Sequence, residues 1–264
     1  MTQVIPAETT AMSDWLAPEG GWASDGNEDI APVFPIISIV QPMTQIQGGI
    51  PGFFHHSDSG EQTGEFDGVL LVRRETRALF AKGDEKPVCR SDDGRNPVPH
   101  QRIWEMDTVT LENGDRKAVP PLATQPNCAN CPFAQWGGKY GDEPPPCSNS
   151  YIVIAARNGD PEDLVQVRIK GTSIKPFRQW VSRKLAPKRI PMFFFQVHLT
   201  TEEKTAPTRK WYQLVIESAP LNADDARVYS AIINAHRARI EQAVRESGGE
   251  VEEWAEPLEE MPFE

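Results

Sequence analysis

No stretch of this 264-residue chain approaches the ~18 consecutive apolar residues of a membrane-spanning helix. Its opening segment, residues 1–21, lacks a basic start followed by an apolar run, the pattern of a secretory leader. These absences predict a cytoplasmic chain with no membrane contact. Cysteine is scarce, at four residues. In a reducing compartment four thiols, two of them separated by two residues, read as metal ligands rather than two disulfides. No Gly-rich loop ending in Lys-Ser or Lys-Thr is present to cradle nucleotide phosphates. No His-x-Glu occurs and Asn127 rather than Pro precedes Cys128, which excludes the zinc deaminase pattern. Glu65, Asp67, Glu75, Asp160 and Asp163 fall in turns without a spacing that would gather carboxylates around Mg²⁺. The expectation is a binding protein, not an enzyme; the rivals are a metal-dependent nuclease or recombination enzyme and a zinc-ribbon transcription or assembly module.

Positive charge is missing from both ends. Residues 1–31 carry six acids and residues 246–264 carry eight, and neither stretch has a Lys or Arg. The net charge of -11 therefore hides a body with 27 basic residues against 24 acidic ones. Residues 168–211 alone hold eleven Lys and Arg against Glu202 and Glu203. Acidic ends on a basic middle are the asymmetry expected when a core holds a polyanion.

The first thirty or so residues are polar, acidic and aperiodic, which predicts a disordered segment over 1–31. Six runs of β-branched and aromatic residues then read as strands: PIISIVQP, FDGVLLVRRETRALFA, SYIVIAARN, LVQVRIKG, PMFFFQVHLT and RKWYQLVIES. In Leu164–Lys170 the polar residues alternate, predicting one face in the core and one in solvent. A helix is predicted over about 173–185, capped by Thr172 or Ser173, with Phe177, Trp180, Val181 and Leu185 on one face. A second is predicted from Asn222, with Asp224 and Asp225 in its first turn, to Gly248. With 24 prolines and 19 glycines, a loop-rich, mainly β (α+β) chain follows. Its expected architecture is an OB-like barrel over 32–245 with a zinc-binding insertion at 89–147 and a C-terminal helix, ending in a disordered tail over 246–264.

All four cysteines lie between the second and third predicted strands, as Cys89, Cys128, Cys131 and Cys147. A Cys-x2-Cys turn presents two thiolates from one knuckle, and tetrahedral zinc takes four. Asn127, Ala129, Asn130 and Pro132 supply turn chemistry, and Pro144, Pro145 and Pro146 stiffen the approach to Cys147. Residues 90–125 have few apolar side chains, so a metal staple is expected to order them. An iron–sulfur cluster also uses four thiolates, but this spacing matches no ferredoxin. His100 is a possible substitute ligand.

Nonspecific single-strand binding pairs a basic groove with aromatic faces on which bases stack. Cations and rings interleave here: Arg168 and Lys170, then Lys175, Phe177, Arg178, Trp180, Arg183 and Lys184, then Lys188, Arg189, Phe193, Phe194 and Phe195, then Arg209, Lys210, Trp211 and Tyr212. Arg73, Arg74 and Arg77 sit on another strand, and Trp136 and Tyr140 lie within the cysteine segment. The DNA-contacting set predicted from this pattern is Arg73, Arg74, Arg77, Trp136, Tyr140, Arg168, Lys170, Lys175, Arg178, Trp180, Arg183, Lys184, Lys188, Arg189, Phe193, Phe195, Lys210, Trp211 and Tyr212. Big aromatics are more often core than platform, so burial of Phe177, Trp180 and one or two of the Phe193, Phe194 and Phe195 set is the competing expectation.

The ending Glu259-Glu260-Met261-Pro262-Phe263 resembles the acidic Pro-Phe tip of bacterial single-stranded-DNA-binding proteins. That resemblance implies recruitment of replication and recombination proteins through Met261, Pro262 and Phe263. The plan of a zinc insertion in an OB-like barrel with an acidic tail is similar to phage helix-destabilising proteins. It implies Zn²⁺ as cofactor, single-stranded DNA as ligand during replication, recombination and repair, possible self-association on DNA, and a bacterial host cell as the site of action.

Overall fold

The computed structural model describes residues 34–246 except 43–45, 47, 85, 99–100, 112, 121–126, 136, 138–144 and 208. The predicted disordered ends, apart from Glu246, lie outside the described residues, as do His100, Trp136, Tyr140, Met261, Pro262 and Phe263.

The chain is mainly β, with a sheet curled into a half-barrel and few helices. Five long strands carry it: β4 (Phe66–Leu79), β8 (Ser148–Arg157), β9 (Leu164–Lys170), β10 (Phe195–Ala206) and β11 (Arg209–Pro220). They lie in the order β11-β10-β4-β8-β9, and the sheet continues through β1 (Ile36–Ile39), β2 (Phe54–His56) and β3 (Gln62–Thr63). All six predicted strands form. The short ones were not legible: β2, β3, β5 (Cys89–Ser91), β6 (Thr108–Thr110) and β7 (Arg116–Ala118) have two or three residues each, too few to show a period.

β1 runs parallel to β9 and the other pairs in this sheet are antiparallel. β4 is long enough to serve both β10 and β8 because it bends at a register shift between Leu70 and Val72, and such a bulge sharpens local twist. Helix α1 (Ile174–Lys184) connects β9 to β10. Ser173 is not its side-chain cap; its Oγ accepts the N–H of Leu214 on β11 at 3.0 Å instead. The predicted C-terminal helix is divided at His236 into α2 (Ala223–Ala235) and α3 (Arg237–Glu246). Asn222 caps α2, accepting the Asp225 N–H at 2.8 Å.

Two cores sandwich the sheet. The concave face buries Ile37, Leu70, Tyr151, Val153, Val165, Val167, Ile169 and Val197 against Phe177, Trp180 and Val181 of α1. The opposite face buries Val69, Ile152, Ile154 and Leu164 under Ala226, Tyr229, Ile233, Ile240 and Ala243 of α2 and α3. The second cover corrects the expectation for β9: Gln166, on its supposed solvent face, is 1% exposed. The segment between β4 and β8 has its own small core of Leu79, Val88, Ile103, Val109, Leu111 and Phe133, with Cys147 in it.

Candidate nucleic-acid interface and cysteine cluster

Register decides which predicted contact residues share a surface, because residues directly opposite each other in a sheet point the same way. Arg74 opposes Ile152, Ile152 opposes Arg168, and Arg168 opposes Ser38. One step along, Thr76 opposes Ser150 and Ser150 opposes Lys170. Arg74, Arg168 and Lys170 therefore stand on the outer face, beside the apolar patch that α2 and α3 cover. Arg74 is buried, Arg168 half-buried and Lys170 exposed. Burial pushes the Arg168 pKa down, and burial followed by the neighbouring Arg168 charge does the same to Lys170. Among the described residues neither has a carboxylate partner, and Arg168 Nε is buried without a hydrogen bond.

Arg73 and Arg77 point to the other face. There Glu75, which sequence reasoning set aside as an isolated carboxylate, is a hub. It accepts from Asn149 Nδ2 at 2.8 Å, Tyr151 Oη at 2.8 Å and an Arg178 guanidinium nitrogen at 2.7 Å, with Arg77 at 3.9 Å. Arg178 and Arg77 are thus half neutralised, while Arg73 is exposed. Gly94 lies against this hub at φ 70°, where a Cβ would meet Glu75 Cγ at 2.7 Å. Lys175, Arg183 and Lys184 of α1 and Lys188 and Arg189 after it are exposed, with no ion-pair partner among the described residues. Lys210 is paired with Glu203 at 3.0 Å.

The rings contradict the stacking expectation in part. Trp180, Phe193 and Phe195 are buried, with Trp180 edge-on to Phe195 and stacked on Phe177. No base can reach them: Trp180 and Phe195 belong to the core against α1 and Phe193 to the core under α2 and α3. Trp211 and Tyr212 remain half-buried, with the Arg209 guanidinium 5.2 Å from the Trp211 ring centre. The cations of 168–211 thus divide among the outer face of β9, the exposed side of α1 and the β10–β11 hairpin, and do not form one aromatic-lined trough.

Three separate pieces of the chain contribute the four cysteines. Cys89 comes from β5, Cys128 and Cys131 from a turn in which Asn130 N–H bonds Asn127 Oδ1 at 3.0 Å, and Cys147 from the start of β8, tied by its N–H to Phe133 O at 2.8 Å. All four line one cavity of about 20 Å³ with Leu79, Ile103, Trp104 and Phe133. Burial, then the neighbouring thiols Cys128 and Cys131, pushes Cys89 up to about 12; burial, then Cys89, does the same to Cys147. Arg77 and the Ser91 hydroxyl work in the opposite sense on Cys128, whose pKa is raised by burial overall. Among the described residues no three His, Cys, Asp or Glu side chains are drawn together closely enough to form a metal-holding group.

A larger cavity of about 610 Å³ lies at the start of β4, lined by Ile37, Phe54, His56, Glu61, Glu65 and Asp67 among others. Its charges are mostly spoken for: Glu61 binds Arg157 at 3.2 Å and Asp67 binds His198 at 2.9 Å.

No family model matches the chain, and no curated protein and no solved structure matches it. Among the described residues no helix is long and apolar enough to cross a membrane.

Proposed function

We propose that this protein binds single-stranded DNA without sequence preference, covering it during replication and recombination, on an OB-type barrel with a zinc-stapled insertion. The strand order β11-β10-β4-β8-β9, with α1 between β9 and β10, supports the barrel reading. In such a barrel the second and third strands, here β8 and β9, and the loop between the first and second strands receive oligonucleotides. That loop position is occupied here by the cysteine segment. The observation that carries the reading is Arg168 and Lys170 side by side on the outer face of β9, one half-buried with an unbonded Nε and the other exposed, neither with a carboxylate among the described residues. Backbone phosphates would supply the missing charge.

Four thiols lining one small cavity support zinc over unligated cysteines; Cys89, Cys128, Cys131 and Cys147 would hold it, and it would tie the segment's ends together as a structural ion. Recruitment of replication and recombination proteins through Met261, Pro262 and Phe263 rests on sequence alone.

Affinity for oligo-dT and for duplex of equal length, measured from about 50 to 200 mM salt, tests the function. Strong single-strand preference with steep salt dependence is expected. Equal affinity for duplex, no binding, or Mg²⁺-dependent cleavage would overturn it.

A further inference from the structure

The register joins residues that are far apart in sequence into one polar row. Arg168, Ser38 and His55 stand side by side on β9, β1 and β2, and the row continues on β8 and β4 only as the buried Ile152 and Arg74. At ~4.8 Å per strand the part of the row that reaches solvent runs about 10 Å across the sheet. His55 is half-buried and has no hydrogen-bond or ion-pair partner among the described residues.

The row has a raised edge on either side. On one, α2 and α3 pack over Phe34, Ile154 and Leu164. On the other, the β1–β2 connection folds back onto the outward-facing Val40, which is 1% exposed; a Cβ at Gly49 would stand 3.0 Å from Val40 Cγ1. Gln62, the next residue of the row on β3, clamps that connection: its Oε1 accepts the Ile50 N–H at 2.6 Å and its Nε2 donates to Gly48 O at 3.0 Å. The row is therefore a shallow channel, cationic at the β9 end, hydrogen-bonding through Ser38 and His55, and stopped by Gln62.

We infer that the bound DNA strand crosses the sheet at right angles to its strands along this channel, entering over Arg168 and Lys170 and reaching His55 as its far contact. This rests on the single-strand reading above and extends it onto β1 and β2, which lie outside the five barrel strands.

The test is fluorescence anisotropy of the full chain with labelled oligo-dT of increasing length, on wild type, Arg168→Ala, His55→Glu, His55→Ala and, as a surface control on α2, Arg227→Glu. Thermal unfolding confirms that each variant is folded. Arg168→Ala is expected to weaken every length by roughly tenfold or more, as the loss of a charged hydrogen bond does, and to lower the salt slope by about 0.7. His55→Glu should weaken only oligonucleotides long enough to span the channel, His55→Ala should do so less, and Arg227→Glu should change nothing. Binding by wild type that is indifferent to both His55 variants at every length would overturn this path and leave the function standing. A loss with Arg227→Glu as large as with Arg168→Ala would overturn it too. No binding by wild type at any length would overturn both.

Discussion

The side-chain amide of Gln41 fastens to the backbone of Tyr212, donating from Nε2 to its carbonyl at 2.8 Å and accepting its N–H at 2.9 Å. One side chain thus occupies the position of a strand partner and joins the end of β1 to β11, at opposite sides of the sheet. Gln41→Ala leaves a part-buried donor and acceptor without partners. It should lower the unfolding free energy by about 1–3 kcal/mol, read from the midpoint of denaturant unfolding, and an unchanged midpoint would show that the seam contributes nothing.

Gly52 supports the same seam. It sits at φ 89°, where an L side chain is strained, and a Cβ there would lie 2.6 Å from the Tyr212 ring. Gly52→Ala should destabilise by about 1–3 kcal/mol, with near-ultraviolet circular dichroism showing altered tyrosine packing. Gly60→Ala is a useful contrast: it has a similar φ of 70° but open space around it, so its cost should be smaller.

His198 gives the stability a pH dependence of definite sign. Its hydrogen bond to Asp67, with Glu65 nearby, raises its pKa above the ordinary 6.5. A histidine held protonated by folding contributes stability that is fully present below the unfolded pKa and lost as pH rises through the raised folded value. Urea midpoints should therefore fall through that window, and His198→Gln should flatten the decline. Proton NMR of Asp67→Asn should show the His198 pKa moving back toward 6.5; a pKa that stays put would assign the shift elsewhere.

Metal analysis of the purified chain should find one zinc per molecule, and Cys128→Ser or Cys147→Ser should lower that content. If the proposed zinc orders the segment alone, hydrogen exchange under a strong chelator should accelerate at Cys89–Ser91 and Pro132–Ala134 while β8 and β9 stay protected. Uniform loss of protection would mean the segment and barrel unfold together.

Glu75→Gln removes the one carboxylate shared by Arg178, Tyr151, Asn149 and Arg77. A cost of about 1–2 kcal/mol in chemical unfolding is expected from leaving the two guanidinium groups to face each other half-buried. Glu75→Ala should cost more, since Gln can still accept one of the bonds.

Long elements were legible in the sequence because each carries enough residues to show its period. β4, β8 and α1 are where the pattern puts them. What failed was inference about faces. Alternation along Leu164–Lys170 cannot reveal that helices from 223–246 come back over the Leu164 end of that face of β9. Interleaved cations and rings looked like a stacking groove, yet an amphipathic element produces the same interleaving when Phe177 and Trp180 face inward and Lys175 and Arg183 face out. The four cysteines were singled out by composition and spacing, and all four line one cavity. Gln41, Glu75 and His55 were not, because their importance comes from partners 171, 103 and 17 positions away, and pairing register has no signature in a single chain.

The cysteine segment departs from the barrel and returns to it at paired neighbours, since Ala78 on β4 lies opposite Ser148 on β8. Geometrically it is the end loop of a hairpin grown large. A chain in which residues 80–147 are exchanged for a two-residue turn is therefore expected to keep every rung of the β4–β8 hairpin.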